Sequence, residues 1–158
     1  MKKAYKQEIE MWNRVFAECT QEDLIRQYNE DDIDAVMQIW LDTNIRAHNF
    51  ISSGYWRINF DMVREMLPHA EIYVHEEDCA RQIDDYIEGI FVKETMQSKG
   101  IGKQLLNHAK KVKSTLKLRV YQRNEKAIKF YLRENFCIQS ESVDDNTGEK
   151  EFVMIWNK

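Results

Sequence analysis

The stretch from Ile87 to Leu106 constrains this chain more than any other. Ile87-Glu88-Gly89-Ile90-Phe91-Val92 has strand character, and after a short loop Gln97-Ser98-Lys99-Gly100-Ile101-Gly102-Lys103 opens a helical run reaching about Val112. A strand that empties through a glycine turn into a helix indicates a layered chain, since the helix must lay its apolar stripe on a sheet. Such a turn exposes backbone N–H groups that have no intrahelical acceptor, and the helix dipole adds partial positive charge. A phosphate or pyrophosphate fits there. Gly100 and Gly102 let the backbone come close, while Lys99 and Lys103 either add charge at the rim or are simply solvated. The turn is not a nucleoside-triphosphate loop, because no Gly-Lys-Ser/Thr ends it, and it lacks the third glycine of the dinucleotide fingerprint.

The rest of the chain supplies the layers. Tyr5, Ile9, Trp12, Phe16 and Cys19 recur at helical spacing, which predicts an amphipathic helix over 1–20 preceding one domain at 21–158. Leu24 to Tyr28 reads as a short strand, and Asn29 before Glu30-Asp31-Asp32 is a helix start for a run through about Ala47 with Ile33, Val36, Met37 and Trp40 inward. A second helix is expected from about Tyr55 to Met66, stopped by Pro68, then a strand at Ile72–His75. Tyr86–Val92 and Leu116–Tyr121 read as strands, Gly100–Val112 and Glu125–Glu134 as helices. Phe136–Val143 and Glu151–Trp156 flank the turn residues Asp-Asp-Asn-Thr-Gly as a terminal hairpin. The fold class is therefore α/β, or α+β layered, with a mixed sheet flanked by helices.

Composition removes several functions. With 158 residues the chain suits one domain, and 23 Lys plus Arg against 27 Asp plus Glu, net −4, provide no cationic field for a nucleic-acid backbone. No apolar run approaches the roughly 20 residues that cross a bilayer, and the start Met-Lys-Lys-Ala-Tyr-Lys lacks a secretory apolar core, so a cytoplasmic location without membrane contact is expected. The 3 Cys are far apart without a C-x-x-C pair, which implies reduced thiols, with Cys19 and Cys137 expected to be buried. His69, His75 and His108 have no metal-ligand spacing.

Downstream residues give the glycine turn a context. Gln97-Ser98-Lys99-Gly100-Ile101-Gly102, followed by Leu118-Arg119-Val120-Tyr121, Asn124, Ala127, Phe130-Tyr131 and Phe136, resembles the GNAT superfamily of acetyl-CoA-dependent N-acetyltransferases. The resemblance implies a mostly antiparallel sheet in which the strand ending at Val92 splays from the one beginning at Leu116, leaving a wedge for the pantetheine arm. It implies acetyl-CoA as co-substrate, no metal, and direct transfer to a primary amine. Main-chain donors of Ser98, Lys99, Gly100, Ile101, Gly102 and Lys103 would hold the pyrophosphate, Gln97 opening the same cofactor-binding signature, and backbone groups of Phe91 and Val92 the pantetheine. An N–H of the splayed strand, that of Phe91, would polarise the acetyl carbonyl. Asn124 matches a cofactor-contacting position and is also a helix N-cap. Tyr131 stands where the superfamily has a tyrosine beside the CoA sulfur; with an ordinary pKa of ~10 it is a proton donor for the departing thiolate, or else a core tyrosine beside Phe130. Tyr86 occupies the place of a basic glutamate in some relatives, and Glu88, two residues on and on the same strand face, is the other candidate base or a solvated carboxylate. His48 and Trp56 fall where the family builds its acceptor wall, although aromatic clusters are also core packing.

One feature departs from the family. Only residues 76–85 separate the strands at Ile72–His75 and Tyr86–Val92, so the third strand is shortened to a stub around 79–83 or missing. A parallel pairing of the flanking strands needs a crossover of about a dozen residues. Three outcomes follow: a minimal meander, a rearranged N-terminal half, or a homodimer whose chains exchange strands to cover exposed edges. The expected function is acetyl transfer to a small amine or a peptide or protein amine; the alternative is a degenerate, non-catalytic acyl-CoA-binding or interaction module.

Overall fold

The computed structural model describes residues 24–75, 79–82 and 86–158, with side chains described for 24–75 and 87–158. The predicted helix over 1–20 and the side chains of Cys19, Cys79 and Tyr86 lie outside that set. Strand β1 (Ile25–Gln27) leads to Asn29, whose side chain accepts the Asp31 N–H at 2.9 Å while Asp32 accepts the N–H of Asn29 at 2.9 Å. This reciprocal cap starts a 3₁₀ turn that runs into α1 (Ile33–Ala47). Val36 and Met37 are buried on its inner face, with Ile33 and Trp40 packed beside them.

The single helix expected over Tyr55–Met66 is two, α2 (Ser53–Ile58) and α3 (Phe60–Met66). They break at Asn59, whose side-chain amide donates to the Tyr55 carbonyl at 2.8 Å. That bond offers the backbone a local alternative to helical pairing. Pro68 lies in the closing 3₁₀ turn.

β2 (Ile72–His75), β3 (Cys79–Gln82) and β5 (Gly89–Val92) form an antiparallel meander with β1 on the outer side of β2. The meander outcome therefore holds, with a third strand of four residues paired on both edges. Antiparallel neighbours need only hairpin loops, so the short connector suffices and no rearranged half is required.

The expected strand Tyr86–Val92 is also divided. β4 (Tyr86–Ile87) pairs in parallel with β6 (Thr115–Tyr121), whereas β5 pairs antiparallel with β3. Glu88 is the step between them, and it splits the sheet into two four-stranded halves, β1-β2-β3-β5 and β4-β6-β8-β7, where β7 is Cys137–Val143 and β8 is Lys150–Asn157. The parallel pair is bridged by α4 (Ile101–Val112), which buries Leu105, Leu106 and Ala109. In β6, Leu116, Leu118 and Val120 point inward while Lys117 and Arg119 point out. They join Ile87, Tyr131, Phe136 and Met154 in the main core, which lies under α4 and α5 (Glu125–Arg133).

β7 (Cys137–Val143) and β8 (Lys150–Asn157) form the predicted hairpin. Cys137, expected to be buried, is exposed. β7 is the outer edge of its sheet, and Phe136, at 2% exposure, takes the neighbouring core place instead. Among the described residues no helix is long and apolar enough to cross a membrane.

Candidate active site

The division at Glu88 creates the site. β4 pairs with β6 only through Tyr86–Lys117 and Ile87–Leu118, so the β6 edge from Arg119 to Tyr121 separates from β5. The resulting cleft of about 1690 Å³ is lined by both strands, α1, the Gln97–Lys103 turn and the start of α5. One small-molecule site occupies roughly 300–1,000 Å³, so there is room here for two reactants end to end.

At one end the turn presents its backbone. Ser98 (φ 63°) and Gly100 (φ 86°) are both left-handed, the kind of turn in which successive backbone N–H groups can form an anion-binding concavity. Gly100 caps α4 without any side-chain hydrogen bond, and nothing lies within 4 Å of where a Cβ would stand. Among the described residues the N–H groups of 98–103 have no acceptor; the first helical bond is from Gln104 N–H to the Gly100 carbonyl at 3.0 Å. Open donors, the positive end of a helix and an empty approach fit a diphosphate group. Ile101 points the other way, 3% exposed, and offers only its N–H. Gln97 donates its side-chain amide to the Val92 carbonyl at 3.0 Å, tying the turn to β5. Lys103 lines the cleft, whereas the Lys99 ammonium rests 3.4 Å from the Met96 sulfur.

Midway, Phe91 and Val92 border the cleft on the β5 edge that β3 does not use. The Phe91 ring lies over Gly89, where an added Cβ would collide with it. Sequence reasoning gave Gly89 no role. The signal was its spacing, since residues two apart share a strand face.

Tyr131 on α5 is 7% exposed, packs against Phe130 and Phe136 at 5.2 and 5.5 Å, and borders the cleft. Glu88 also lines it; burial raises its carboxyl above the usual range, and Arg119 only partly opposes this. Because Glu88 stands at the step between strands, simple alternation with Tyr86 does not describe its direction. Tyr86 is placed by its backbone alone, opposite Lys117.

The far end is an aromatic wall. His48, from the α1–α2 loop, stands 5.4 Å from Trp56 and 5.0 Å from Tyr121, and Phe50 stands 5.8 Å from both His48 and Tyr121 (ring centroids). The Arg123 guanidinium lies 4.4 Å above the Phe50 ring. Tyr121 donates to Asp144 at 2.5 Å, and burial followed by that bond raises its phenol strongly, so it stays protonated. Burial opposes the charge on Asp144, but bonds from Tyr121, Asn146 and Thr147 hold its carboxyl below the ordinary range. Glu151, 6% exposed, pairs with Arg119 at 3.5 Å and accepts from Ser142 at 2.8 Å. Sequence reasoning placed His48 and Trp56 near this wall but missed Asp144, Arg119 and Glu151, which reach it from strands and loops distant in sequence.

Asn124 joins wall and helix. Its Oδ1 accepts the Ala127 N–H at 3.2 Å, the expected N-cap, and its Nδ2 lies 3.1 Å from His48 Nε2. One amide hydrogen and the second lone pair of Oδ1 are left for a further contact. Burial lowers His48 to about 4, so its ring is neutral at ordinary pH.

Comparison with known proteins agrees with this geometry. The model of the acetyltransferase (GNAT) domain matches residues 46–138, more than half of the chain. The peptidyl-lysine N-acetyltransferase YiaC of Escherichia coli (strain K12) is 30% identical over 140 residues, covering 84% of this chain and 96% of that protein. The peptidyl-lysine N-acetyltransferase YjaB of the same organism is 24% identical over 131 residues, covering 79% and 89%. The solution structure of apo YjaB from Escherichia coli superposes with a TM-score of 0.74 at 25% identity, over 84% of this chain and 95% of that one.

Proposed function

Because this chain belongs to the GNAT N-acetyltransferases, acyltransferases that use acetyl-CoA, we propose that its acceptor is the ε-amine of a lysine in a peptide or protein. The observation that carries this reading is the single cleft joining the open N–H turn to an aromatic wall flanked by Glu88, Asp144 and Glu151. The ring faces and the Glu88 and Asp144 carboxylates suit an ammonium side chain, Glu151 being paired with Arg119. The two curated relatives named peptidyl-lysine N-acetyltransferases support the same acceptor.

Bound acetyl-CoA supplies the thioester carbonyl that the acceptor amine attacks, with the thiolate leaving. The free N–H groups of 98–103 hold the carrier's diphosphate, and Gln97 keeps that turn fixed to β5. The open edge at Phe91 and Val92 takes the arm, with the Phe91 N–H as the donor to the reacting carbonyl oxygen. Tyr131, held by Phe130 and Phe136, donates its hydroxyl proton to the leaving sulfur as the C–S bond breaks, and is restored by the proton that the attacking nitrogen sheds on becoming an amide. Glu88, with its raised carboxyl, accepts the proton from the incoming ammonium; Tyr86 is the second candidate for this role.

Free-thiol release from acetyl-CoA, measured with lysine peptides, N-terminal amines and small polyamines beside calorimetry with CoA, tests the reading. Lysine peptides are expected to give the highest kcat/KM. Heat of CoA binding without release from any amine would instead indicate a carrier-binding module.

A further inference from the structure

Helices α2 and α3 carry apolar side chains on two faces. Across the break, the Asn59 N–H bonds to the Tyr55 carbonyl at 3.2 Å and the Asn59 carbonyl accepts from the Val63 N–H at 3.0 Å, so helical spacing carries on from α2 into α3. Phe60, Val63 and Leu67 turn inward, into the cluster built on Val36, Met37, Ile72 and Val74. Ile58, Met62 and Met66 recur at steps of four and stay outside, 82%, 52% and 61% exposed. Single exposed apolar residues are ordinary on a protein surface, but side chains four apart on a helix adjoin, and these three make one row. The other large exposed apolar residues, Val112, Leu132, Ile138 and Val143, are scattered over α4, α5 and β7. Asp61 and Glu65, both exposed, border the row, whereas Arg64 is taken by Asp34 at 2.7 Å.

The chain itself supplies a matching face. Tyr5, Ile9, Trp12 and Phe16 recur at helical spacing, and at about 100° per residue Lys2 and Lys6 border the Tyr5 end of that stripe. As a helix, 5–16 is ~17 Å long, against ~12 Å for the exposed row. The segment also joins the domain within reach. β1 leads to Tyr28, which packs in the same cluster as Phe60 and Val63. From Tyr28 back to Leu24 is about 13 Å of extended chain, and residues 20–23 span about as much in return. A separate molecule fits the row less well. Three side chains offer far less than the roughly 800 Å² per partner of a stable interface, whereas a tethered segment acts at an effective concentration on the order of millimolar and needs less area.

We propose that residues 1–20 dock as an amphipathic helix on the outer face of α2 and α3, with Tyr5, Ile9, Trp12 and Phe16 against Ile58, Met62 and Met66, and Lys2 and Lys6 beside Asp61 and Glu65. The row lies apart from the cleft lining, so the inference is independent of the acceptor.

The test uses the intact protein labelled with ¹³C in its methionine methyl groups, Met62 and Met66 being assigned by the loss of their signals in Met62→Leu and Met66→Leu. Ring currents of Trp12 and Phe16 are expected to displace both methyls from the position of an exposed methionine. Trp12→Ala and Phe16→Ala, which keep helix propensity, should each move them back toward it. The methyl of Met154, 0% exposed in the main core, should hold its position in both variants. Signals already at the exposed position, or unmoved by either variant, overturn the inference. So does a displacement that dilution of the wild type removes, because a second copy then covers the row. A displacement that appears only with vesicles of phosphatidylethanolamine and phosphatidylglycerol also overturns it, by assigning the segment's apolar face to a membrane surface. Movement of Met154 together with the other two removes the docking as well, since the effect would then be one on the whole fold.

Discussion

The two ends of the cleft are built on opposite plans. The end proposed to hold the carrier is made of consecutive residues, 97–103, whose main-chain N–H groups a helix start leaves open. The end proposed to take the acceptor is made of side chains from the α1–α2 loop, the step at Glu88, the end of β6, the α5 cap and the β7–β8 loop. A backbone site depends on φ angles and tolerates changes of side chain. A side-chain site depends on how distant elements pack, so one substitution alters several partners.

The largest effect should come from attacking the backbone plan directly. Gly100→Val forces a β-branched residue to φ 86° and is expected to weaken CoA binding by about 100-fold or more. Calorimetry giving wild-type affinity would break the contrast, because the turn would then not need its left-handed residue. At the junction of the two ends, Tyr131→Phe should lower kcat by about 100-fold with CoA affinity unchanged; an unaltered kcat removes that hydroxyl from the chemistry.

The acceptor end has its own signature in acid. His48 titrates near 6.5 when unfolded and about 4 when folded, so between these values the unfolded chain binds more protons. This group leaves stability unaffected above pH 6.5 and should lower it by roughly 3 kcal/mol as pH drops through that window. Urea unfolding at pH 7.5 and 4.5 should show this difference between the wild type and His48→Phe; parallel pH curves would place the imidazole in water.

Glu88→Gln should cut kcat/KM about tenfold at neutral pH and remove the acid limb of the pH–rate profile, which in the wild type lies above the ordinary carboxylate range. A retained limb would pass the base role to another group. Smallest is Asn124→Ala, which loses the α5 cap and should cost about 1 kcal/mol in thermal or urea unfolding. The same variant frees His48 to change tautomer, so the acceptor end should respond in KM for the amine before the carrier end responds in CoA affinity.

Local patterns carried most of the fold. The Asn29 cap, the α1 inner face, the alternation of β6, the glycine turn and the terminal hairpin all stand where spacing predicts them. The failures occurred where a long-range partner overrode a continuous local pattern. Tyr86–Val92 alternates without interruption, yet β6 claims its first two residues and β3 its last four. Tyr55–Met66 is helical in composition, yet the Asn59 side chain bonds back to Tyr55 and divides it. Cys137 reads as apolar, but its strand is an edge with little to cover it.

The sequence by itself determined the turn at the proposed carrier end, because a helix start, its left-handed glycine and the N–H groups it leaves open are set by residues within one turn of each other. Only the tertiary structure decided the acceptor end. Which face of His48 carries a proton depends on Asn124, 76 residues away, and the phenol of Tyr121 finds Asp144 through a hairpin. Hydrogen-bond direction among such groups is a property of their packing, and no spacing along the chain records it.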